Sequence, residues 1–296
     1  MPRALISVYD KAGLADFARG LAGLGWDLVS SGGTARALES AGVAATPVEW
    51  VTQAPEMLAG RVKTLHPAIH AGILARDTAE DMEALRRHGY APIDLVVCNL
   101  YPFQRTVAQQ GIALEDAIEQ IDIGGVALVR AAAKNCARVT VVTDPADYLS
   151  VLAMLRETGR VSEALRRWLA VKAFRLTRDY DTAIHAYLGR EFGPADTEPL
   201  PDALSLGLTR VQELRYGENA HQRAALYATG PDGSPLGGEV LGGKALSYNN
   251  LLDLDSAWRA VVMLDTPAVV IVKHLTPTGI ATAETAADAF ALALAC

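Results

Sequence analysis

Residues 4–40 read ALISVYDKAGLADFARGLAGLGWDLVSSGGTARALES, and this stretch predicts the class of the fold. Ala4 to Val8 is an apolar run typical of a buried strand. Apolar residues then recur at helical spacing, at Leu14, Phe17, Leu21 and Leu24. Leu28 to Ser30 predicts a second strand, which ends in the turn Ser31-Gly32-Gly33-Thr34, and Ala35 to Ser40 predicts a helix. A strand, a Gly-Gly turn with hydroxyls and a helix start favour phosphate binding, because backbone N–H groups and the helix dipole point at the anion.

The alternation of strands and helices continues to residue 190. Ile93 to Cys98 and Val139 to Val142 are apolar and predict two more strands. The helices predicted in this part of the chain are Ala79–His88, Leu114–Gln120, Ala146–Glu157 and Ser162–Gly189. One more helix opens at Asp122-Ile123-Gly124-Gly125 and ends near Lys134. This order predicts an α/β fold, with a parallel sheet covered by helices on both faces.

A basic loop lies between the first two strands and the third. Gly60 to Leu74 reads GRVKTLHPAIHAGIL and brings Arg61, Lys63 and His66 close together, a composition that suits an anion. Pro67 disfavours the helical conformation for His66, so we interpret the stretch as a shaped loop. His66 and His70 would form a metal pair on a helix, but this interpretation of the loop argues against a metal site.

Composition limits the function classes. The net charge of −7 argues against a nucleic-acid-binding protein, which needs a basic face. No apolar run approaches the roughly 18 residues of a membrane helix, and we expect no signal peptide, because the N-terminus runs directly into a strand pattern. Cys98, Cys136 and Cys296 are far apart and odd in number, which favours a reducing cytoplasm without disulfides or a cysteine metal site.

A second region follows a loose, proline-containing segment. We predict domain 1 over residues 1–190, a linker over 191–207 and a second domain over 208–296. A strand at Ala268–Val272 ends in Lys273-His274, and a helix is expected from near Glu284. The pattern favours an incomplete second domain.

Seven segments in this order resemble the bifunctional AICAR transformylase/IMP cyclohydrolase family of purine biosynthesis. They are Ser7–Lys11, Ser31–Thr34, Gly60–Leu74, Asn99–Phe103, Asp122–Asn135, Leu214–Gln222 and Lys273–Gly279. The resemblance implies an N-terminal cyclohydrolase domain similar to methylglyoxal synthase and a partial, deaminase-like α/β transformylase domain. It implies closure of FAICAR to IMP without a cofactor. It also implies formyl transfer to AICAR with 10-formyltetrahydrofolate as co-substrate, and we expect this second activity to be weak or absent in this chain. It also implies a cytoplasmic homodimer that binds small nucleotides and neither nucleic acid nor membranes.

The resemblance also assigns site residues. The catalytic candidates for ring closure are Lys63, Tyr101, Asp122 and Lys134, and those for formyl transfer are Lys273 and His274. The substrate-binding candidates are Ser7, Lys11, Ser31, Gly33, Thr34, Arg61, Thr64, Asn99, Gly124 and Gly125 for the first reaction, and Arg215 and Tyr216 for the AICAR nucleotide. No metal ligands are assigned.

Two alternatives remain open on the sequence. A phosphate lyase of the methylglyoxal synthase type would use the same Ser31–Thr34 loop without Lys63, Tyr101 and Lys134. A nucleotide-sensing module without catalysis, like the regulatory domain of carbamoyl phosphate synthetase, would bind a nucleotide and turn nothing over.

Overall fold

A computed structural model describes residues 1–55, 58, 62–108, 111–192, 207–228 and 235–296. The chain forms two compact units, Met1–Pro199 and Leu200–Cys296. The predicted linker lies mostly outside the described residues, so its bounds stay a prediction.

The first unit contains a five-stranded parallel sheet in the order β3-β2-β1-β4-β5. Its strands are β1 (Arg3–Val8), β2 (Asp27–Ser30), β3 (Thr46–Pro47), β4 (Leu95–Asn99) and β5 (Thr140–Val142). The central strands are buried along almost their whole length, which explains their continuous apolar sequence. The predicted parallel sheet is confirmed.

Ten helices of the first unit lie in the described residues. They are α1 (Leu14–Gly23), α2 (Gly32–Ser40), α3 (Val48–Thr52), α4 (Pro67–Leu74), α5 (Ala79–Arg87), α6 (Phe103–Val107), α7 (Leu114–Glu119), α8 (Gly124–Lys134), α9 (Tyr148–Thr158) and α10 (Glu163–Phe192), with a 3₁₀ turn at Pro145–Asp147. Helices α1 and α9 pack together, with Phe17 stacked on Tyr148 at 4.3 Å between ring centroids. Helices α4, α8 and α10 pack together on the other face.

Helix α4 corrects the interpretation of residues 60–74 as a loop. His66 is extended, as the residue before a proline should be, but the helix starts immediately after it. Pro67 occupies the first helical position, where a missing N–H costs nothing, and the His66 side chain caps the helix by accepting from the Ala68 N–H.

The second unit consists of two antiparallel hairpins and two helices. Strands β6 (Thr209–Leu214) and β7 (Ala224–Ala228) pair, as do β8 (Ala268–Lys273) and β9 (Thr276–Thr282). Helices α11 (Tyr248–Val261) and α12 (Ala286–Leu294) pack on the β8–β9 hairpin, and a 3₁₀ turn spans Pro235–Gly237. No helix in the described ranges is both long enough and apolar enough to cross a membrane.

Candidate active site

The candidate site of the first unit lies at the carboxyl edge of the sheet. Strand order reverses between β1 and β4, because the chain proceeds outward from β1 through β2 to β3 and then returns to β4. Ligands of open α/β sheets bind at such a reversal, in the crevice beyond the strand ends. The predicted polar residues Ser31 and Asn99 lie at the ends of β2 and β4.

The hydroxyl of Thr34 fixes the Ser31–Thr34 loop to the end of β1. It accepts from the Val8 N–H and donates to the Val8 carbonyl, both at 3.0 Å, and it is buried. Helix α2 begins at Gly32, three residues before the prediction, and Gly32 has a left-handed φ of 52° that glycine adopts without strain. Because α2 directly follows β2, its amino end lies at the carboxyl edge of the sheet, and its N-cap Ser31 makes no side-chain capping bond.

Asn99 performs a similar task at the end of β4. Its Oδ1 accepts from the N–H groups of Tyr9 and Asp10 at 2.7 and 3.0 Å, and its Nδ2 donates to the Asp10 carbonyl. The side chain therefore shapes the loop after β1. The Lys11 ammonium is held in this loop by the Tyr9 carbonyl at 3.1 Å.

Lys63 reaches the Ser31–Thr34 loop. A Cβ atom built at Gly32 would lie 3.5 Å from the Lys63 Nζ, so this cation stands directly against the start of α2. Glu49 lies 3.6 Å from the same Nζ, and the lysine side chain is only 16% exposed. A largely shielded cation beside a helix N-terminus favours an anionic group, and the Glu49 carboxylate offsets part of its positive charge.

Thr64 joins this cation to the amino end of α8. It is buried, and its Oγ1 would lie 3.0 Å from a Cβ at Gly124. A side chain at Gly124 would press against Thr64, so the glycine favours the close approach of α8 to the turn that carries Lys63 and Thr64. The amino ends of α2 and α8 lie on either side of residues 62–66.

Asp122 is the acidic group of this cluster. Its Oδ1 accepts from the Gly125 N–H at 2.7 Å, and the carboxylate also accepts from the backbone N–H of Tyr101. Burial raises the pKa of Asp122 above that of an ordinary carboxyl, and the two hydrogen bonds only partly oppose this shift. A Cβ at Gly125 would lie 2.4 Å from Asp122 Oδ2, so the carboxylate packs directly over the helix backbone.

Tyr101 follows β4, and its side chain is exposed. Its ring lies against that of Tyr9, with 5.1 Å between the centroids. An open cleft of about 950 Å³ begins here and is lined by Tyr9, Lys11 and Asn99 among others. Aromatic surface, a cation and polar strand ends therefore share one opening.

Three further predicted site residues, Ser7, Arg61 and Lys134, differ in where they lie. Ser7 is half-buried next to the end of β1, in register with Cys98. Arg61 lies outside the described residues. Lys134 is exposed at the last position of α8, ten residues and about 15 Å of helix from Gly124.

The neighbours of Lys134 confirm its separation from the cluster. The next residue, Asn135, donates to the carbonyls of Ile73 and Ala75 at the far end of α4. Arg138 contacts Asp94 just before β4, at the amino edge of the sheet. Within the chain, α8 therefore separates Lys134 from Asp122, and the place of Lys134 in the site stays a prediction.

The second unit places its four predicted residues around α11. Arg215 and Tyr216 follow β6; the guanidinium lies over the tyrosine ring at 4.9 Å, and the Tyr216 carbonyl accepts from the first residue of α11, Tyr248. Lys273 ends β8, and His274 begins the two-residue turn to β9 with a left-handed φ of 51°. Asp253, five residues into α11, accepts from the Leu275 N–H of this turn.

Family models match almost the whole chain in two parts. An MGS-like domain model matches residues 13–127, and the AICARFT/IMPCHase bienzyme model matches residues 132–296. The chain belongs to the AICARFT/IMPCHase bienzyme family.

Relatives of this bienzyme family extend beyond the chain. The bifunctional purine biosynthesis protein PurH of Desulfitobacterium hafniense is 48% identical over 99% of the chain, and that of Listeria innocua is 51% identical over 98%. The chain spans only 58% and 57% of these two proteins. The crystal structure of ForH matches with a TM-score of 0.57 and 35% identity, covering 64% of this chain and 99% of its own.

Sequence reasoning missed two residues of the candidate site. Tyr9 is far from Tyr101 in sequence, and Glu49 precedes Lys63 by fourteen positions, so no local pattern indicates either contact. The Nε2 of His70 is buried without a hydrogen-bond partner among the described residues. The spacing of His66 and His70 was noticed, but only as a possible metal pair. No group of three potential metal-ligating side chains lies together in the ranges that the structure describes.

Proposed function

We propose that this chain catalyses the cyclohydrolase reaction, closing FAICAR to IMP with loss of water. The observation that carries the proposal is the position of residues 62–66 between two helix amino ends. Lys63 stands against the start of α2, and Thr64 stands against the start of α8 beside Asp122. The shielded cation Lys63 thus lies at the phosphate-binding Ser31–Thr34 turn, and its neighbour Thr64 lies beside Asp122, a group able to move protons.

The phosphate end of the substrate is assigned to the Ser31–Thr34 loop. Backbone N–H groups at the start of α2 and the Lys63 and Lys11 ammonium groups favour an anion there. Arg61 is retained as a proposed phosphate or substrate contact on the family resemblance alone. The side chains of Thr34 and Asn99 contribute by holding backbone groups at the end of β1 and in the loop after it. Ser7 lies close enough to the end of β1 to line the same crevice.

The reacting end is assigned to Lys63, Asp122 and Tyr101. Ring closure joins the carboxamide nitrogen to the formyl carbon of the same molecule, so positioning supplies much of the rate. The Lys63 ammonium stabilises negative charge that develops on the formyl oxygen. Asp122, with its raised pKa, accepts the proton that the attacking nitrogen loses. The formyl oxygen takes up this proton and leaves as water with a second proton from the formamide nitrogen, and Lys134 is retained as a group near the departing oxygen on the family resemblance alone. Gly124 and Gly125 let the start of α8 approach the substrate.

The test follows ring closure by ultraviolet absorbance with purified FAICAR. We expect Lys63→Ala to lower kcat/KM by about 100-fold, the usual effect of removing a group that stabilises an oxyanion. Lys244→Ala is the matched control, because Lys244 is an exposed lysine of the second unit. Equal rates for Lys63→Ala and Lys244→Ala would contradict the assignment of Lys63.

The same assay separates the two alternative functions. Release of phosphate from a triose phosphate, without FAICAR turnover, would indicate a lyase of the methylglyoxal synthase type. Saturable IMP binding without any turnover would indicate a nucleotide-sensing module. Either result would replace the cyclohydrolase proposal.

The second unit is proposed to retain only part of a transformylase site. In the family's reaction, 10-formyltetrahydrofolate is the co-substrate. His274 would accept the proton of the AICAR amine, and Lys273 would stabilise the tetrahedral intermediate. Arg215 and Tyr216 would contact the nucleotide. Because the chain spans 58% of the length of its PurH relative from Desulfitobacterium hafniense, we propose little or no formyl transfer by these 296 residues. Robust formyl transfer to AICAR would contradict this.

A cytoplasmic homodimer is proposed for the assembly. Helix α10 exposes large apolar side chains that a second copy would cover, at Trp168, Val171, Phe174 and Phe192. Sedimentation of the purified chain at micromolar concentration measures the oligomeric state.

A further inference from the structure

The hydroxyl of Tyr180, in the middle of α10, faces the short segment between α7 and α8. It accepts from the Asp122 N–H at 2.8 Å and donates to the Gln120 carbonyl at 3.1 Å, and the tyrosine is buried. The O–H donor and an acceptor lone pair are therefore both used. Gln120 is the C-cap of α7, and Asp122 lies two positions before the start of α8. A single hydroxyl thus joins the end of one helix to the residue that leads into the next.

The backbone of Asp122 depends on this hydroxyl. Within the described ranges, no backbone carbonyl accepts from the Asp122 N–H, so the Tyr180 oxygen is the acceptor that it has there. The Asp122 carboxylate in turn accepts from the Gly125 N–H at 2.7 Å. A chain of hydrogen bonds therefore runs from α10 through the backbone and side chain of Asp122 to the first turn of α8.

The ring of Tyr180 contacts the other segment that carries a proposed catalytic residue. It meets the ring of Phe103 edge-on, with 6.2 Å between the centroids. Phe103 is buried at the start of α6, and its N–H donates to the Tyr101 carbonyl at 2.8 Å. One side chain of α10 therefore supports both the segment of Asp122 and the segment of Tyr101.

A second tyrosine of α10 separates the use of the ring from the use of the hydroxyl. Tyr187 is also buried and also meets Phe103 edge-on, with 5.7 Å between the centroids. Its hydroxyl makes no hydrogen bond to a residue that the structure describes. Packing on Phe103 thus requires only the ring, and the Tyr180 hydroxyl serves the segment at 120–122.

We propose that Tyr180 is a positioning residue for ring closure: its hydroxyl holds the backbone at 120–122 and thereby fixes the Asp122 carboxylate at the start of α8. The kinetic consequence rests on the proposed cyclohydrolase function. The physical consequence, a carboxylate that is less firmly held without the hydroxyl, does not depend on that function.

The kinetic test compares two variants that each lose one hydroxyl and keep the ring. We expect Tyr180→Phe to lower kcat for FAICAR by about tenfold or more, because small displacements of positioned groups have large effects on rate. KM should change less than kcat, because the phosphate is assigned to the Ser31–Thr34 loop, which Thr34 fixes to β1 without Tyr180. Tyr187→Phe is the matched control on the same helix and should leave both constants unchanged.

Hydrogen exchange provides a readout that needs no turnover. The Asp122 amide reports the bond to Tyr180 directly. The Gly125 amide reports the carboxylate, because it lies in the first turn of α8, where an N–H has no intrahelical acceptor, and donates to Asp122 instead. Both amides should exchange faster in Tyr180→Phe than in the parent chain, and neither should change in Tyr187→Phe.

The two measurements separate the role of Tyr180 from the proposed function. If the parent chain does not turn over FAICAR, the proposed function fails, while exchange at Gly125 still decides whether Tyr180 positions the carboxylate. Tyr180→Met, which fills a core site with a flexible apolar side chain, replaces the phenylalanine variant if that variant does not fold. Unchanged exchange at Gly125, or equal kcat values for Tyr180→Phe and Tyr187→Phe, would overturn the inference.

Discussion

Asp122 shows how burial and function are connected at a single residue. Its carboxylate accepts from two backbone N–H groups and touches the backbone of α8, and burial nevertheless raises its pKa. A carboxyl group with a raised pKa accepts protons more readily near neutral pH than an ordinary aspartate, whose pKa is about 3.9. The buried position therefore suits a general base.

The pH dependence of ring closure should report this shift. Activity should fall as pH decreases through the raised pKa of Asp122, because the protonated group cannot act as a base. Stability should change in the opposite direction: the folded state binds the extra proton, so the free energy of unfolding falls as pH rises from the ordinary to the raised pKa. A pH–rate profile and denaturant titrations check both, and Asp122→Asn should abolish both dependences. An acid limb that persists in Asp122→Asn would assign the base elsewhere.

Residue types and strand ends could be predicted from the sequence, but their partners could not. Ser31 and Asn99 were expected at the carboxyl edge because each follows an apolar strand. That Thr34 and Asn99 hold backbone groups of the neighbouring β1 loop depends on strand order, which no local pattern contains. The predicted helix already placed Lys134 about 15 Å along α8 from Gly124, so its role in the site stays a prediction.

At the scale of elements, α8 approaches the turn at 62–66 because its first two residues are glycines. A methyl group at Gly125 would overlap Asp122 at 2.4 Å, and one at Gly124 would press against Thr64 at 3.0 Å. The same helix begins where Asp122 accepts the Gly125 N–H, so capping and site geometry depend on one contact.

Gly125→Ala should displace Asp122 and lower kcat/KM for FAICAR by about tenfold or more. Gly189→Ala is the matched control, because Gly189 lies within α10 and no neighbouring atom lies within 4 Å of the Cβ position. This control should raise the free energy of unfolding by up to about 1 kcal/mol, the helix-propensity difference between the two residues. Kinetics and denaturant unfolding of both variants measure these effects; normal activity in Gly125→Ala would show that the carboxylate can move without consequence.

Helix α4 shows why element type near a proline is difficult to predict. The conformational effect of Pro67 on His66 was predicted correctly, yet the conclusion of a continuing loop was wrong. Proline limits the residue before it and also favours the first position of a helix, and the sequence alone did not decide between a loop and a helix start.

At the scale of the whole molecule, the proposed ring-closing site uses residues of the first unit only. Each residue assigned to it, including Arg61 and Lys134, precedes residue 135, and the sheet lies within Met1–Pro199. The order of strands and helices predicted this sheet, since buried parallel strands leave continuous apolar runs between helical patterns. The two hairpins of the second unit gave weaker patterns, and of their four strands only the β8 strand was predicted.

The first unit should therefore fold and act without the second. Its core is continuous, from Leu5 and Val96 in the central strands to Phe17 and Leu128 in the covering helices. The ForH structure, 99% of which matches 64% of this chain, supports a stable fold of about this size. A chain of residues 1–199 should melt in one cooperative transition and close FAICAR with a kcat/KM within about threefold of the full chain, because positioning by its own groups supplies the rate. Calorimetry and the absorbance assay measure this. A folded but inactive 1–199 chain would place part of the ring-closing site in residues 200–296.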